Sequence, residues 1–164
     1  MKDVAPIRFA DVAKTFRKQD GEPFFACREL SFSVVEGEVV AIVGETGCGK
    51  STSFNMLLGL QKPDSGEVRV FGKDPFLQSD SLLGLVGIIF QSDRLLPWRT
   101  AIENVAFGLQ ILNVKEEKRL ETARIWLERV GLGGFEDAYP HELSGGMRQR
   151  VVAAMGLSTN PELL

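Results

Sequence analysis

One stretch constrains this 164-residue chain more than any other. It runs Gly44-Glu45-Thr46-Gly47-Cys48-Gly49-Lys50-Ser51 and continues into Thr52. Its spacing is G-x-x-x-x-G-K-[ST], the pattern of a phosphate-cradling loop. Glycines lack a Cβ, so the backbone at 44, 47 and 49 can take unusual dihedrals and approach a ligand closely. A row of N–H groups then faces an anion at the positive end of the following helix. Lys50 adds a full charge, and the Ser51 hydroxyl is a ligand for Mg²⁺. Such a loop needs a buried strand before it and a helix after it. Val39-Val40-Ala41-Ile42-Val43 is a continuous apolar run, which predicts a strand buried on both faces. Ser51 to Leu60 predicts a helix with Phe54, Leu57, Leu58 and Gly59 on one side.

Composition narrows the partners. The net charge is −3 and the pI is near 5.3, whereas a nucleic-acid surface normally shows as a basic excess. The longest apolar run, Leu82 to Phe90, is far short of the ~20 residues of a membrane-spanning helix. The opening Met1-Lys2-Asp3-Val4 has no apolar core of a signal peptide. Cys27 and Cys48 are too few for a disulfide framework and read as free thiols in a reducing compartment.

Along the chain, Ile7-Arg8-Phe9, Val12 to Phe16 and Leu30 to Val34 read as strands. Arg17 to Pro23 reads as a hairpin loop turning at Asp20-Gly21. Phe16, just before that loop, is by itself the kind of aromatic that fills a core. Lys62 to Gly66 is a turn cluster, Glu67 to Val70 a half-exposed strand, and Ser79 to Leu85 a short helix. Val86-Gly87-Ile88-Ile89-Phe90 predicts a second fully buried strand ending at Gln91, where α/β sheets place their ligands. From Pro97 the pattern turns helical. Thr100-Ala101-Ile102-Glu103 is a capping box, with Ile102, Val105, Ala106, Leu109 and Leu112 as an apolar stripe. Lys115 to Val130 predicts another helix, burying Leu120, Ala123, Leu127 and Val130 and capped by Gly131. Leu95, Leu96 and Trp98 fit no period and read as exposed apolar residues on a loop.

A second glycine motif follows: Leu143-Ser144-Gly145-Gly146-Met147-Arg148-Gln149-Arg150. Ser144 is a good N-cap, and the two glycines leave the first helical N–H groups uncovered.

Phosphate loop, Gln91 and Leu-Ser-Gly-Gly in this order resemble the ATP-binding subunit of an ABC transporter. Phe90 to Trp98, Glu103-Asn104-Val105 and Tyr139 to Arg150 are similar to the branch serving nitrate, sulfonate and taurine importers. The resemblance covers essentially the whole chain. It implies an α/β fold: a P-loop NTPase (ABC ATPase) core with an antiparallel β subdomain and a helical subdomain. The expected division is 1–95 for the core and β subdomain, 96–157 for the helical subdomain, and 158–164 for the start of a core strand.

The resemblance also implies roles. Phe16 would stack on adenine, and Gly44, Glu45, Thr46, Gly47, Cys48, Gly49, Lys50, Ser51 and Thr52 would hold the phosphates of ATP. Ser51 and Gln91 would touch Mg²⁺. Leu143, Ser144, Gly145, Gly146 and Met147 would close on the ATP of a second subunit, in a homodimer or an ABC heterodimer. Gln91 to Trp98 would face integral membrane permease subunits, placing the chain peripherally on the cytoplasmic face of the cell membrane. A solute-binding protein would be met only indirectly, and nucleic acid not at all. The implied function is to couple ATP binding and hydrolysis to import of a small anion.

Two positions depart from the pattern: Met147 replaces a glutamine, and Met155 replaces an arginine. The metal-binding aspartate and catalytic glutamate of the family would follow Leu164, so the sequence reads as a C-terminally truncated cassette, inactive by itself. Asp93, also after an apolar run, is a poor substitute, and His141 reads as a loop residue. The other readings are a short ATP-binding or dimerisation module without hydrolysis and, less favoured, a soluble ABC protein.

Overall fold

The apolar pieces between Ile7 and Arg17 fold as one strand, β1 (Ile7–Arg17), rather than two. The break between them is a bulge: the register shifts between Phe9 and Val12, and Asp11, with φ 48, donates its N–H to Ser31 Oγ at 2.8 Å. The computed structural model of the chain describes residues 5–18 and 20–164. They form two units, Met1–Leu82 and Leu83–Leu164.

In the first unit β1 is the centre of a three-stranded antiparallel sheet of order β2-β1-β3, with β2 spanning Pro23–Val34 and β3 Ser65–Val70. Its buried face is made by Ile7, Phe9, Val12, Ala26, Val34, Val68 and Val70. Phe9 stacks on Phe32 across the β1–β2 ladder, ring centroids 4.6 Å apart. The hairpin loop is as expected: Gly21 donates its N–H to Lys18 O and Lys18 donates to Glu22 O, both at 2.9 Å. Gln19, part of the expected loop, lies outside the described residues.

α1 (Lys50–Leu57) follows the glycine loop but ends sooner than its apolar pattern suggests. Leu60 donates back to Asn55 O at 2.9 Å, and the chain turns at Gly59. The buried face is Ser53 and Met56, whereas Phe54 is half exposed. A two-turn helix buries only what faces its support, and that face is set by the neighbouring strands rather than by its own apolar count. Ser79–Leu82 is a single 3-10 turn instead of a helix.

Both apolar runs expected as buried strands are otherwise. Val39 to Val43 carries no strand, with Val39 97% and Val43 89% exposed. A run buried on both faces needs ladder partners on each side. Among the described residues of the first unit the three strands are engaged with one another, and none pairs with this run. Val86 to Phe90 makes one parallel bridge, Val86 to Leu163, and leaves Ile88, Ile89 and Phe90 partly exposed.

The second unit is a helical cluster of α2 (Ala101–Ile111), α3 (Glu116–Arg129) and α4 (Gly145–Ser158). Its core joins Ile102, Val105, Ala106, Ala123, Leu127, Leu132, Leu143, Val151 and Ala154. The stripes read from the sequence are thus the buried faces, except that Leu112, Leu120 and Val130 are only half buried. The capping box of Thr100 and Glu103 is present in both directions. α3 closes as expected, Gly131 donating to Glu128 O at 2.9 Å and Leu132 to Leu127 O at 2.8 Å. Nothing in the structure explains the methionine at 155. No helix among the described residues is long and apolar enough to cross a membrane.

Asp64 ties the turn before β3 to β1. Its carboxylate accepts from Lys14 Nζ at 2.6 Å and from the Thr15 N–H at 2.7 Å. These bonds, the Lys14 one first, hold its pKa below the ordinary aspartate value. The stabilisation is therefore complete above the unfolded pKa and is lost as pH falls through the lower folded value. Asp64→Asn should melt below the wild-type chain at neutral pH, with the gap closing under strong acid. A gap that is independent of pH in thermal melts would show that the carboxylate charge contributes nothing.

Candidate functional site

The glycine loop is built against β2. A Cβ on Gly49 would lie 2.0 Å from the Ala26 carbonyl oxygen, and Gly49 has φ +95. Only glycine combines that contact with that backbone. Gly47 also has positive φ, +87, but open space around it. Gly49 is the N-cap of α1 and so offers no side chain to the first turn, whose N–H groups stay open toward a ligand.

Lys50 curls back over this loop. Its ammonium donates to Gly44 O at 2.6 Å and Glu45 O at 2.7 Å, and lies 3.6 Å from Cys48 Sγ. Ser51 is exposed on the first turn, Thr52 is half buried, and Glu45, Thr46 and Cys48 are exposed. The loop faces an open cleft of about 630 Å³ whose lining includes Cys27, Arg28, Val40, Cys48, Lys50 and Ser53. Burial pushes the pKa of the Cys27 thiol above its ordinary value. Phe16 is half buried on β1, opposite Phe24 and with Lys14 Nζ 5.8 Å from its ring centroid.

The second unit holds the other candidates. Gln91 is exposed just beyond the apolar run, and Trp98 is 70% exposed. Leu95 and Leu96 are half buried, not displayed: Leu95 packs on the helical core. The cause is Asn104, which in the sequence shows only as part of the Glu103-Asn104-Val105 motif, with no role of its own. Fully buried on α2, its amide takes the Leu96 N–H at 2.8 Å and donates to Leu96 O, Arg99 O and Thr100 O at 3.2, 3.0 and 2.9 Å. A polar residue within the apolar stripe Ile102 to Leu109 was the available signal.

At the second glycine motif, Ser144 caps α4, its Oγ accepting from the Met147 N–H at 3.3 Å. Gly145 and Gly146 are exposed, Met147 is half buried and Leu143 is buried. Asp93 is engaged by Arg148, whose Nε donates to Oδ2 at 2.6 Å.

Among the described residues no group of three His, Cys, Asp or Glu side chains forms a metal cage. A phosphate-bound Mg²⁺ needs less, since it keeps waters and takes one or two protein oxygens beside those of the phosphates. The exposed Ser51 hydroxyl fits that requirement.

Comparison with known proteins gives a consistent result. Residues 27–164 match the family described as ABC transporter. An uncharacterized ABC transporter ATP-binding protein of Methanocaldococcus jannaschii is 39% identical over 145 residues, 88% of this chain and 53% of that protein. The taurine import ATP-binding protein TauB of Escherichia coli K12 is 37% identical over 153 residues, 93% of this chain and 58% of that protein. The chain thus spans little more than half the length of these relatives. The ATP-binding cassette MJ0796, solved as a dimer in a post-hydrolysis state bound to ADP and Pi, superposes with a TM-score of 0.81. It is 34% identical, with 94% of this chain and 70% of that one covered.

The contrast between Gly47 and Gly49 gives a test. Alanine at either position must occupy a left-handed backbone, a cost of about 1–3 kcal/mol. At Gly49 the new methyl also meets the Ala26 carbonyl. Gly49→Ala should therefore destabilise the chain clearly more than Gly47→Ala in denaturant titrations. Equal losses would show that the approach to β2 is not maintained in solution.

Proposed function

The chain belongs to the ABC transporter family, and from that premise we propose that it is the ATP-binding part of an importer for a small anion such as taurine, a sulfonate or nitrate. The observation that carries ATP binding is the loop from Gly44 to Lys50. An uncapped helix start, a glycine in van der Waals conflict with any side chain, and a lysine ammonium already gathered over the loop fit a nucleotide's phosphates. The choice of solute class rests on the TauB relatives and on the wording of Phe90 to Trp98.

In this reading the open N–H groups of the first α1 turn bind the β- and γ-phosphate oxygens, and Lys50 gives up its carbonyl partners to follow them. Phe16 stacks on adenine. Ser51 would hold Mg²⁺, and that ion, when bound, would neutralise phosphate charge. Ser144, Gly145 and Gly146 present the uncovered N-terminus of α4 to the ATP of a second subunit, with Leu143 and Met147 flanking them. Two such sites related by a two-fold axis follow from that complementarity, and the dimeric MJ0796 supports it. The parent protein then works as a transport-coupled ATPase on the cytoplasmic face of a membrane, docked to permease subunits through Gln91 to Trp98.

Lys50→Ala tests the nucleotide reading. A charge-assisted phosphate contact contributes roughly 1.5–3 kcal/mol, so ATP affinity should fall by about 10- to 150-fold. Titration with a fluorescent ATP analogue measures this, and an unchanged affinity would remove the assignment. Docking is tested separately at Trp98, the most exposed aromatic of its segment. Trp98→Ala should leave ATP affinity as it is and reduce recovery of the membrane subunits on co-purification. Full recovery with normal transport would move the docking surface elsewhere.

A further inference from the structure

Within the second unit, one arginine bridges two segments that the sequence separates widely. Arg148 lies in the first turn of α4. Its Nε donates to Asp93 Oδ2 at 2.6 Å, and its Nη1 donates to Leu143 O at 2.7 Å. Leu143 is the residue immediately before the N-cap Ser144. A third bond runs alongside, from Gln149 Nε2 to Gln91 O at 3.4 Å. The planar guanidinium therefore fixes one carboxylate and one carbonyl at once, which a lysine ammonium does not do with the same geometry.

The segment held in this way has little else of its own. Gln91 and Ser92 are exposed, and Arg94 takes φ 42, unusual for a residue with a side chain. Its guanidinium covers the Phe90 ring at 4.3 Å, and its Nε reaches Ser92 Oγ at 3.3 Å. On the C-terminal side the chain is anchored at Leu96 by Asn104. On the N-terminal side Gly156 of α4 admits the Ile89 side chain, where a Cβ would meet Cγ1 at 2.7 Å. Between these anchors, the Arg148 pair is the charged link to α4.

We infer that Asp93 and Arg148 are positioning residues that join the Gln91–Arg94 segment to the Ser144–Gly146 turn as one mechanical piece. The inference rests on the ABC reading for its consequence: a displacement of the segment proposed to meet the permease is carried to the turn proposed to meet the second subunit's ATP. As a half-buried pair still open to water it contributes modestly to stability, and its role is orientation. Removing either side chain uncouples the two segments.

The test uses the native chain and reads each segment from the other. Asp93→Ala should speed amide exchange in residues 147–151 of α4 by about fivefold or more, although the change is made far away in sequence. Arg148→Ala should speed tryptic cleavage after Arg94 by a similar factor, about fivefold, because opening of that segment becomes easier. Arg148→Lys should recover only part of the protection. ATP affinity should stay within about twofold of wild type in all variants, whereas ATP-driven self-association should weaken by roughly tenfold. The double variant should be no weaker than either single one. Unchanged exchange and cleavage would overturn the link, whatever the association behaviour. Faster exchange and cleavage without any effect on association, in a wild-type chain that does associate, would overturn its positioning role. A wild-type chain that binds ATP but never associates would count against the proposed function, while exchange and cleavage would still decide the link.

Discussion

The first unit depends on one close approach, the Gly49 backbone against the Ala26 carbonyl. That contact leaves no room for a Cβ, and it brings the start of α1 directly onto β2. Because the N-cap position is thereby restricted to glycine, no hydroxyl or carboxylate is available to satisfy the first-turn N–H groups. The same steric demand that locates the helix thus keeps its anion-binding end open. It is the antiparallel sheet, not the apolar run from Val39 to Val43, that fixes the loop within this unit. The exposure of Val39 and Val43 is consistent with that division of labour.

In the second unit the corresponding part is taken by buried polar side chains. Asn104 uses its amide oxygen and nitrogen on the backbone of Leu96, Arg99 and Thr100. Ser158, almost fully buried, donates to Val105 O and Met155 O, each at 3.0 Å, and so links α4 to α2. Apolar contacts among Val105, Ala123, Leu127 and Val151 supply the larger share of burial, but they tolerate sliding. A satisfied amide in the same core does not, because any slip leaves a donor or acceptor unpaired. The loop before α2 is accordingly held in place although it has no regular structure.

These causes explain which parts of the molecule could be read from its sequence. The capping box at Thr100, the Ser144 cap, the hairpin turn at Asp20-Gly21 and the Gly131 helix end are all satisfied within a few residues, and all were legible. The buried faces of α2 and α3 were legible too, since long helices average over many positions. The two apolar runs were misread as buried strands because their burial depends on ladder partners that composition cannot supply. α1 was misread in its facing because eight residues give too few turns to define a stripe. The burial of Leu95 and Leu96 has no signal in their own pattern, because the residue that tucks them in, Asn104, acts through backbone groups. The Asp93–Arg148 pair had no local signature at all; its members come together only through the packing of α4.

The position of Lys50 bears on how the loop meets a phosphate. An ammonium in contact with Gly44 O and Glu45 O is already hydrogen-bonded, so it does not wait as a bare charge. Phosphate binding exchanges those carbonyl bonds for bonds to anionic oxygens. The net contribution of Lys50, about 1.5–3 kcal/mol, is what remains of its charge-assisted bonds after that exchange. That difference is smaller than a count of contacts in the bound state implies. In return the loop is gathered around the lysine before any ligand arrives, and less chain has to be ordered on binding. Lys50 therefore acts twice, first as the internal partner that shapes the loop and then as the external partner of the phosphate. The open N–H groups of α1, which have no internal acceptor to surrender, contribute their bonds without such an exchange.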